Sequence, residues 1–106
     1  MSQDQPIARR RVVILNGLGL HLRPATKFAT LAQRYRSEIR VRYNGQESNG
    51  KGILDLAMLA AGPGAGLDLE AVGDDAESAL AALAALVDAR FHETDDGEPL
   101  PEESTS

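Results

Sequence analysis

Glu38-Ile39-Arg40-Val41-Arg42-Tyr43-Asn44-Gly45 is the stretch that decides the architecture. Apolar Ile39, Val41 and Tyr43 alternate with charged Glu38, Arg40 and Arg42, the period-two pattern of a strand with one dry and one wet face. Asn44-Gly45 follows at once, and Asn-Gly is the strongest short signal for a two-residue hairpin, because both residues accept the positive φ of a type I′ turn. Gln46 to Asn49 must then be a short, polar return arm. Strands buried on one face only belong to an antiparallel sheet whose other face meets solvent.

Upstream, Ala25, Phe28, Ala29, Ala32 and Tyr35 recur at three-and-four spacing, which predicts a helix over about 21–35 with Pro24 in its first turn, where a missing N–H is harmless. Before it, Arg9-Arg10-Arg11 runs into Val12-Val13-Ile14-Leu15, a strand that Asn16-Gly17 and Gly19 end in a turn. Downstream, Ile53 to Leu59 predicts a short helix stopped by Gly62-Pro63-Gly64, and Leu67 to Val72 alternates as another strand. Asp74 to about Arg90 predicts a last helix, opened by Asp74 and Glu77 in the manner of a capping box. Its apolar stripe is Ala76, Leu80, Leu83, Ala84, Val87 and Phe91. The order βαββαβα, with three helices that each need an apolar partner, makes a two-layer α/β (α+β) open-faced sandwich: a four-stranded antiparallel sheet covered on one face.

A chain of 106 residues without tryptophan, and with two tyrosines and two phenylalanines, supports one mostly aliphatic core and no large enclosed pocket. The absence of cysteine excludes disulfides, thiol catalysis and thiolate metal sites. No run is long and apolar enough to cross a membrane, and Met1 to Pro6 is too polar for a secretory signal, so a cytoplasmic location and no membrane partner are expected. The formal charge of −5 is concentrated at one end: six acids (Glu93, Asp95, Asp96, Glu98, Glu102, Glu103) and no base lie in 93–106, leaving ten of sixteen acids against all eleven bases, a balance of +1. Such a tail predicts disorder. The expected organisation is a flexible segment 1–8, a domain 9–92 and an acidic tail 93–106. Three arginines without interleaved aromatics on a near-neutral domain indicate the solvated start of an edge strand, not a nucleic-acid partner.

Chemistry is concentrated in Gly19-Leu20-His21-Leu22-Arg23-Pro24-Ala25. A helix opening presents backbone N–H groups and carries roughly +0.5 charge, so a phosphoryl group there meets donors already aimed at it. His21 supplies a nitrogen nucleophile that is available near neutral pH, and Arg23 a planar, permanent positive charge for phosphoryl oxygens. The same spacing is equally consistent with His21 as a mere helix cap and Arg23 as a surface charge. Other constellations are incomplete. Gly17-Leu18-Gly19 lacks the third glycine of a dinucleotide fingerprint, and Gly50-Lys51-Gly52 lacks the rest of a P-loop. His92 has no ligands at metal-binding spacing, Ser48 has no paired base, and Asp55, Asp68 and Glu70 read as solvent-facing. No metal and no cofactor are expected.

That heptapeptide, with Ser37-Glu38-Ile39, Asn44-Gly45, Lys51-Gly52-Ile53-Leu54 and the final alanine-leucine helix, resembles HPr, the phosphocarrier of the phosphoenolpyruvate-dependent phosphotransferase system, over about residues 8–92. The resemblance implies that His21 accepts phosphate at Nδ1 from phosphorylated enzyme I and passes it to an enzyme IIA. Arg23 would steady the phosphoryl group, and the helix opening at Leu22, Arg23 and Pro24 would receive its oxygens. Leu20, Leu22, Lys51, Ile53, Leu54 and Ala57 would make the docking face of a monomeric carrier. Such a protein is a carrier intermediate rather than a free-standing enzyme. The alternative on the same fold is an interaction module that works without phosphorylation. Two positions depart from many relatives: Gly52 stands where they carry a regulatory serine, and Leu18 resembles the nitrogen-related NPr branch, which shifts the expectation toward a regulatory carrier and leaves sugar uptake as the open alternative.

Overall fold

The computed structural model describes residues 5–93; both expected tails, apart from Gln5–Ala8 and Glu93, lie outside this span. The elements are β1 (Ile7–Val13), α1 (Leu22–Ala32), β2 (Glu38–Tyr43), β3 (Gln46–Asn49), α2 (Ile53–Ala57), β4 (Gly66–Val72) and α3 (Ala76–Asp88), followed by a 3₁₀ turn at Arg90–His92. The order is βαββαβα. Four strands, all antiparallel, run β1-β4-β2-β3 across the sheet.

Alternation sorts the two faces. Ala8, Val12, Ile39, Val41, Leu67, Leu69 and Ala71 are buried beneath the helices, where they meet Phe28, Leu56, Leu80, Leu83 and Phe91. On the other face, Arg9 stands opposite Glu70 and Arg11 opposite Asp68, while Arg40 and Arg42 flank the same two acids from β2. Arg9 and Arg11 form 2.9 Å ion pairs with those acids, and Arg42 reaches Glu47 at 2.7 Å. The arginine run of β1 is therefore matched across the strands by carboxylates. Exposed pairs of this kind contribute at most about 1 kcal/mol each. Asn44 and Gly45 both take positive φ, 52° and 82°, as the hairpin turn requires.

Several boundaries differ from expectation for identifiable reasons. β1 starts at Ile7, because Ile7 and Ala8 already pair with Val72 and Ala71. α1 ends at Ala32, three residues early, as the N–H groups of Arg34 and Tyr35 turn to the carbonyls of Leu31 and Ala32 in a tightened last turn. α3 is shorter at both ends, and its expected capping box is absent: the N-cap is Asp75, and its side chain caps nothing in its own helix. The Asp75 carboxylate instead accepts the N–H groups of Arg36 and Ser37, each at 2.9 Å, and the Ser37 hydroxyl at 2.6 Å. The hydroxyl bond first, then the Arg36 amide, holds this carboxyl below the usual aspartate range.

Two features place the loop that carries His21. Gln33 of the last turn of α1 donates to the Lys51 carbonyl just before α2, and the Leu20 N–H bonds the Ala61 carbonyl after α2, at 3.0 and 2.8 Å. α2 therefore runs antiparallel to α1, back toward the start of α1. Gly19 closes the arrangement with φ of +75°, and a Cβ there would lie 2.5 Å from the Ala61 carbonyl oxygen. Only glycine fits without a shift of backbone.

Candidate functional site

His21 is the N-cap residue of α1, extended at φ −84° and ψ −169°, and its side chain makes no capping bond. His21 therefore occupies the N-cap position without capping the helix through its ring. The first turn of α1 itself contains no acid. The first helical bond runs from the Ala25 N–H to the His21 carbonyl, 3.0 Å, which leaves the backbone of 22 and 23 as the turn at the helix mouth. Pro24 is buried and carries no N–H. It shapes the opening and cannot donate to it, which corrects its grouping with Leu22 and Arg23. Arg23 is exposed beside His21, and Lys27, one turn on, donates to the Phe91 carbonyl at 2.6 Å.

The second nitrogen contact was not legible. His21 Nε2 lies 3.3 Å from Glu93 Oε1, with the imidazole 33% exposed and the carboxylate fully buried. Asn16, also buried, donates from Nδ2 to the Gly19 carbonyl at 2.7 Å and to the same Glu93 oxygen at 3.3 Å. The backbone turn that brings Glu93 back is unusual, since Arg90, Phe91 and His92 take φ of 58°, 54° and 59° in succession. Phe91 is fully buried and anchors it. Glu93 thus belongs to the folded domain, and counting it with the tail is corrected: its side chain is enclosed while the remaining tail acids lie outside the described residues.

The expected docking face is assembled only in part. Leu22 and Leu54 are exposed, at 56% and 69%, while Ile53 and Ala57 are half-buried. Leu20 is buried in the core and cannot touch a partner. Lys51 is turned inward as well, its ammonium donating to the Tyr35 carbonyl at 2.7 Å, where a cation suits the negative end of α1. Met58, which sequence reading missed, is exposed at 77% at the end of α2 nearer His21, and Leu18 at 55% stands in the loop before it. Gly52 is the N-cap of α2, and a Cβ there would sit 2.9 Å from an Asp55 carboxylate oxygen. No group of His, Cys, Asp and Glu among the described residues is arranged to hold a metal ion.

A family model described as "PTS HPr component phosphorylation site" matches residues 8–89. Phosphocarrier protein NPr of Shewanella violacea is 44% identical over 84 residues, 79% of this chain and 92% of its own length. Phosphocarrier protein HPr of Pseudomonas aeruginosa is 43% identical over 83 residues, 77% of this chain and 92% of its own. Among solved structures, HPr of Thermoanaerobacter tengcongensis superposes with a TM-score of 0.78 at 35% identity, covering 81% of this chain and 97% of that one. Sequence and fold agree across the domain, and the chain belongs to the HPr family of phosphotransferase-system phosphocarriers.

Proposed function

We propose that His21 accepts a phosphoryl group at Nδ1 from phosphorylated enzyme I and delivers it to an enzyme IIA domain. The observation that carries this reading is the half-buried imidazole at the N-cap of α1, with Nε2 engaged by Glu93 so that Nδ1 is the remaining nucleophile. In the step, the Nδ1 lone pair forms the N–P bond while the donor's bond to phosphorus breaks and its electron pair stays with the donor. Delivery is the reverse event with the acceptor as nucleophile. Such a loose transition state needs positioning and charge on its oxygens more than further covalent work. The Arg23 guanidinium and the α1 opening supply both.

Leu18 favours the nitrogen-related branch, and relatives bearing the NPr and HPr names match at similar identity. A regulatory carrier is the assignment we adopt between the two. The test mixes the protein with phosphoenolpyruvate, Mg²⁺ and either a sugar-type or a nitrogen-type enzyme I. Expected is one acid-labile phosphoryl group per chain, absent in His21→Ala, and gained faster from the nitrogen-type donor. Label that persists on another residue overturns the site, and faster labelling by the sugar-type donor overturns the branch. Partner binding that is unchanged by His21→Ala and by phosphorylation supports instead a module acting through the Leu54 and Met58 face.

A further inference from the structure

Glu93 is a buried carboxylate with one oxygen, Oε2, that has no hydrogen-bond donor among the described residues, and its neighbour Asn16 Oδ1 is likewise unsatisfied. A carboxylate enclosed with so few donors costs stability unless a cation faces it. It is also delivered by three consecutive left-handed residues, conformations that cost about 1–2 kcal/mol each for non-glycine residues. Packing explains Phe91, which fills the core. It does not explain an acid in the next turn, aimed at the imidazole and steadied there by Asn16.

Resting on the phosphocarrier reading, we propose that Glu93 is a positioning residue for His21, accepting the Nε2–H and thereby directing the proton to Nε2 and the lone pair to Nδ1. Two ring nitrogens compete for one proton in neutral imidazole, and the partner of one nitrogen decides which tautomer is present. A carboxylate can only accept from Nε2, so that nitrogen must keep its hydrogen. When Nδ1 then bonds phosphorus, the ring gains positive charge, and the proton remains on Nε2 opposite the carboxylate that compensates it. On delivery the N–P electron pair returns to Nδ1 and neutral imidazole is left, with no proton having to enter or leave the ring. Asn16 holds the carboxylate to the loop that carries His21, since the same amide nitrogen bonds the Gly19 carbonyl.

The experiment uses the full chain, ¹⁵N-labelled at histidine, as wild type, Glu93→Ala and Glu93→Gln. Expected in the wild type is a slowly exchanging Nε2–H proton and an unprotonated Nδ1. In Glu93→Ala that proton resonance disappears into exchange with water, and phosphorylation by enzyme I falls roughly tenfold to a hundredfold, the range seen when a carboxylate behind a metal-ligating histidine is removed. In Glu93→Gln the amide oxygen accepts the same N–H, so the resonance persists and most of the rate returns. A wild-type proton on Nδ1, an Nε2–H that exchanges equally fast in wild type and Glu93→Ala, or an unchanged rate in Glu93→Ala overturns the proposal. If Glu93→Ala does not fold, the folded Glu93→Gln decides, and its loss of the Nε2–H resonance overturns the proposal. Wild-type protein that enzyme I leaves unlabelled defeats the phosphocarrier reading, while the tautomer spectra still judge the hold of Glu93 on the ring.

Discussion

Arg23 lies in the first turn of α1, exposed, two residues from His21. An exposed charge touches stability little, commonly under about 0.5 kcal/mol, whereas a donor aimed at transferring oxygens is worth on the order of a hundredfold in rate. Arg23→Ala is therefore expected to slow transfer by about that factor with an almost unchanged denaturation midpoint. Rapid-mix transfer assays beside denaturant titrations check this, and a proportionate loss of both refutes it. His21 and Arg23 could be singled out from sequence because helix-opening chemistry is local: the proposed nucleophile, the cation and Pro24 fall within four residues. Glu93 was not readable, since its partner lies 72 positions away and its neighbours in sequence are the acids of the tail. Composition grouped it by charge, and the fold separates it by burial.

At the level of elements, periodicity, composition and turn signals identified the four strands and three α-helices among the described residues, but not the 3₁₀ turn at Arg90–His92, and ends went astray wherever a distant group intervened. Asp75 illustrates the cause: local pattern assigns a capping acid to α3, but the carboxylate at its N-cap is taken by Arg36 and Ser37 on the approach to β2. The interaction has a signature in acid. Because the folded carboxyl titrates below its ordinary value, its contribution is fully present above the unfolded aspartate range, near pH 3.9, and is lost as pH falls through the folded value. Wild type is thus expected to be more stable than Asp75→Asn at neutral pH, with the gap closing as pH drops below about 4. Urea titrations across that range measure it, and a gap that stays constant with pH refutes the assignment.

Seen whole, the molecule places helices over one face of its sheet and leaves Leu22, beside His21, and Leu54 and Met58, at the two ends of α2, outside the core. Transient partners dock on small apolar patches around a few anchor side chains. Leu54→Glu is expected to leave the melting temperature nearly unchanged, because the side chain is 69% exposed. The same substitution should raise the KM for enzyme I roughly tenfold, about 1.4 kcal/mol. Steady-state phosphorylation with wild type and variant checks this, and an unchanged KM removes Leu54 from the docking face. Which of the proposed docking residues are exposed was not legible for a simple reason. An apolar side chain beside the histidine reads alike whether it turns inward, as Leu20 does, or outward, as Leu22 does.

The left-handed turn at Arg90–His92 has a practical corollary. It brings Glu93 against His21, so an insertion directly after Glu93 would start beside the imidazole. The strand β1 begins at Ile7, at the far end from the loop that leads to His21, roughly 20 Å away for seven extended residues. A fluorophore or affinity handle for watching the exchange belongs at that opposite pole, where a label reports the traffic without standing in it.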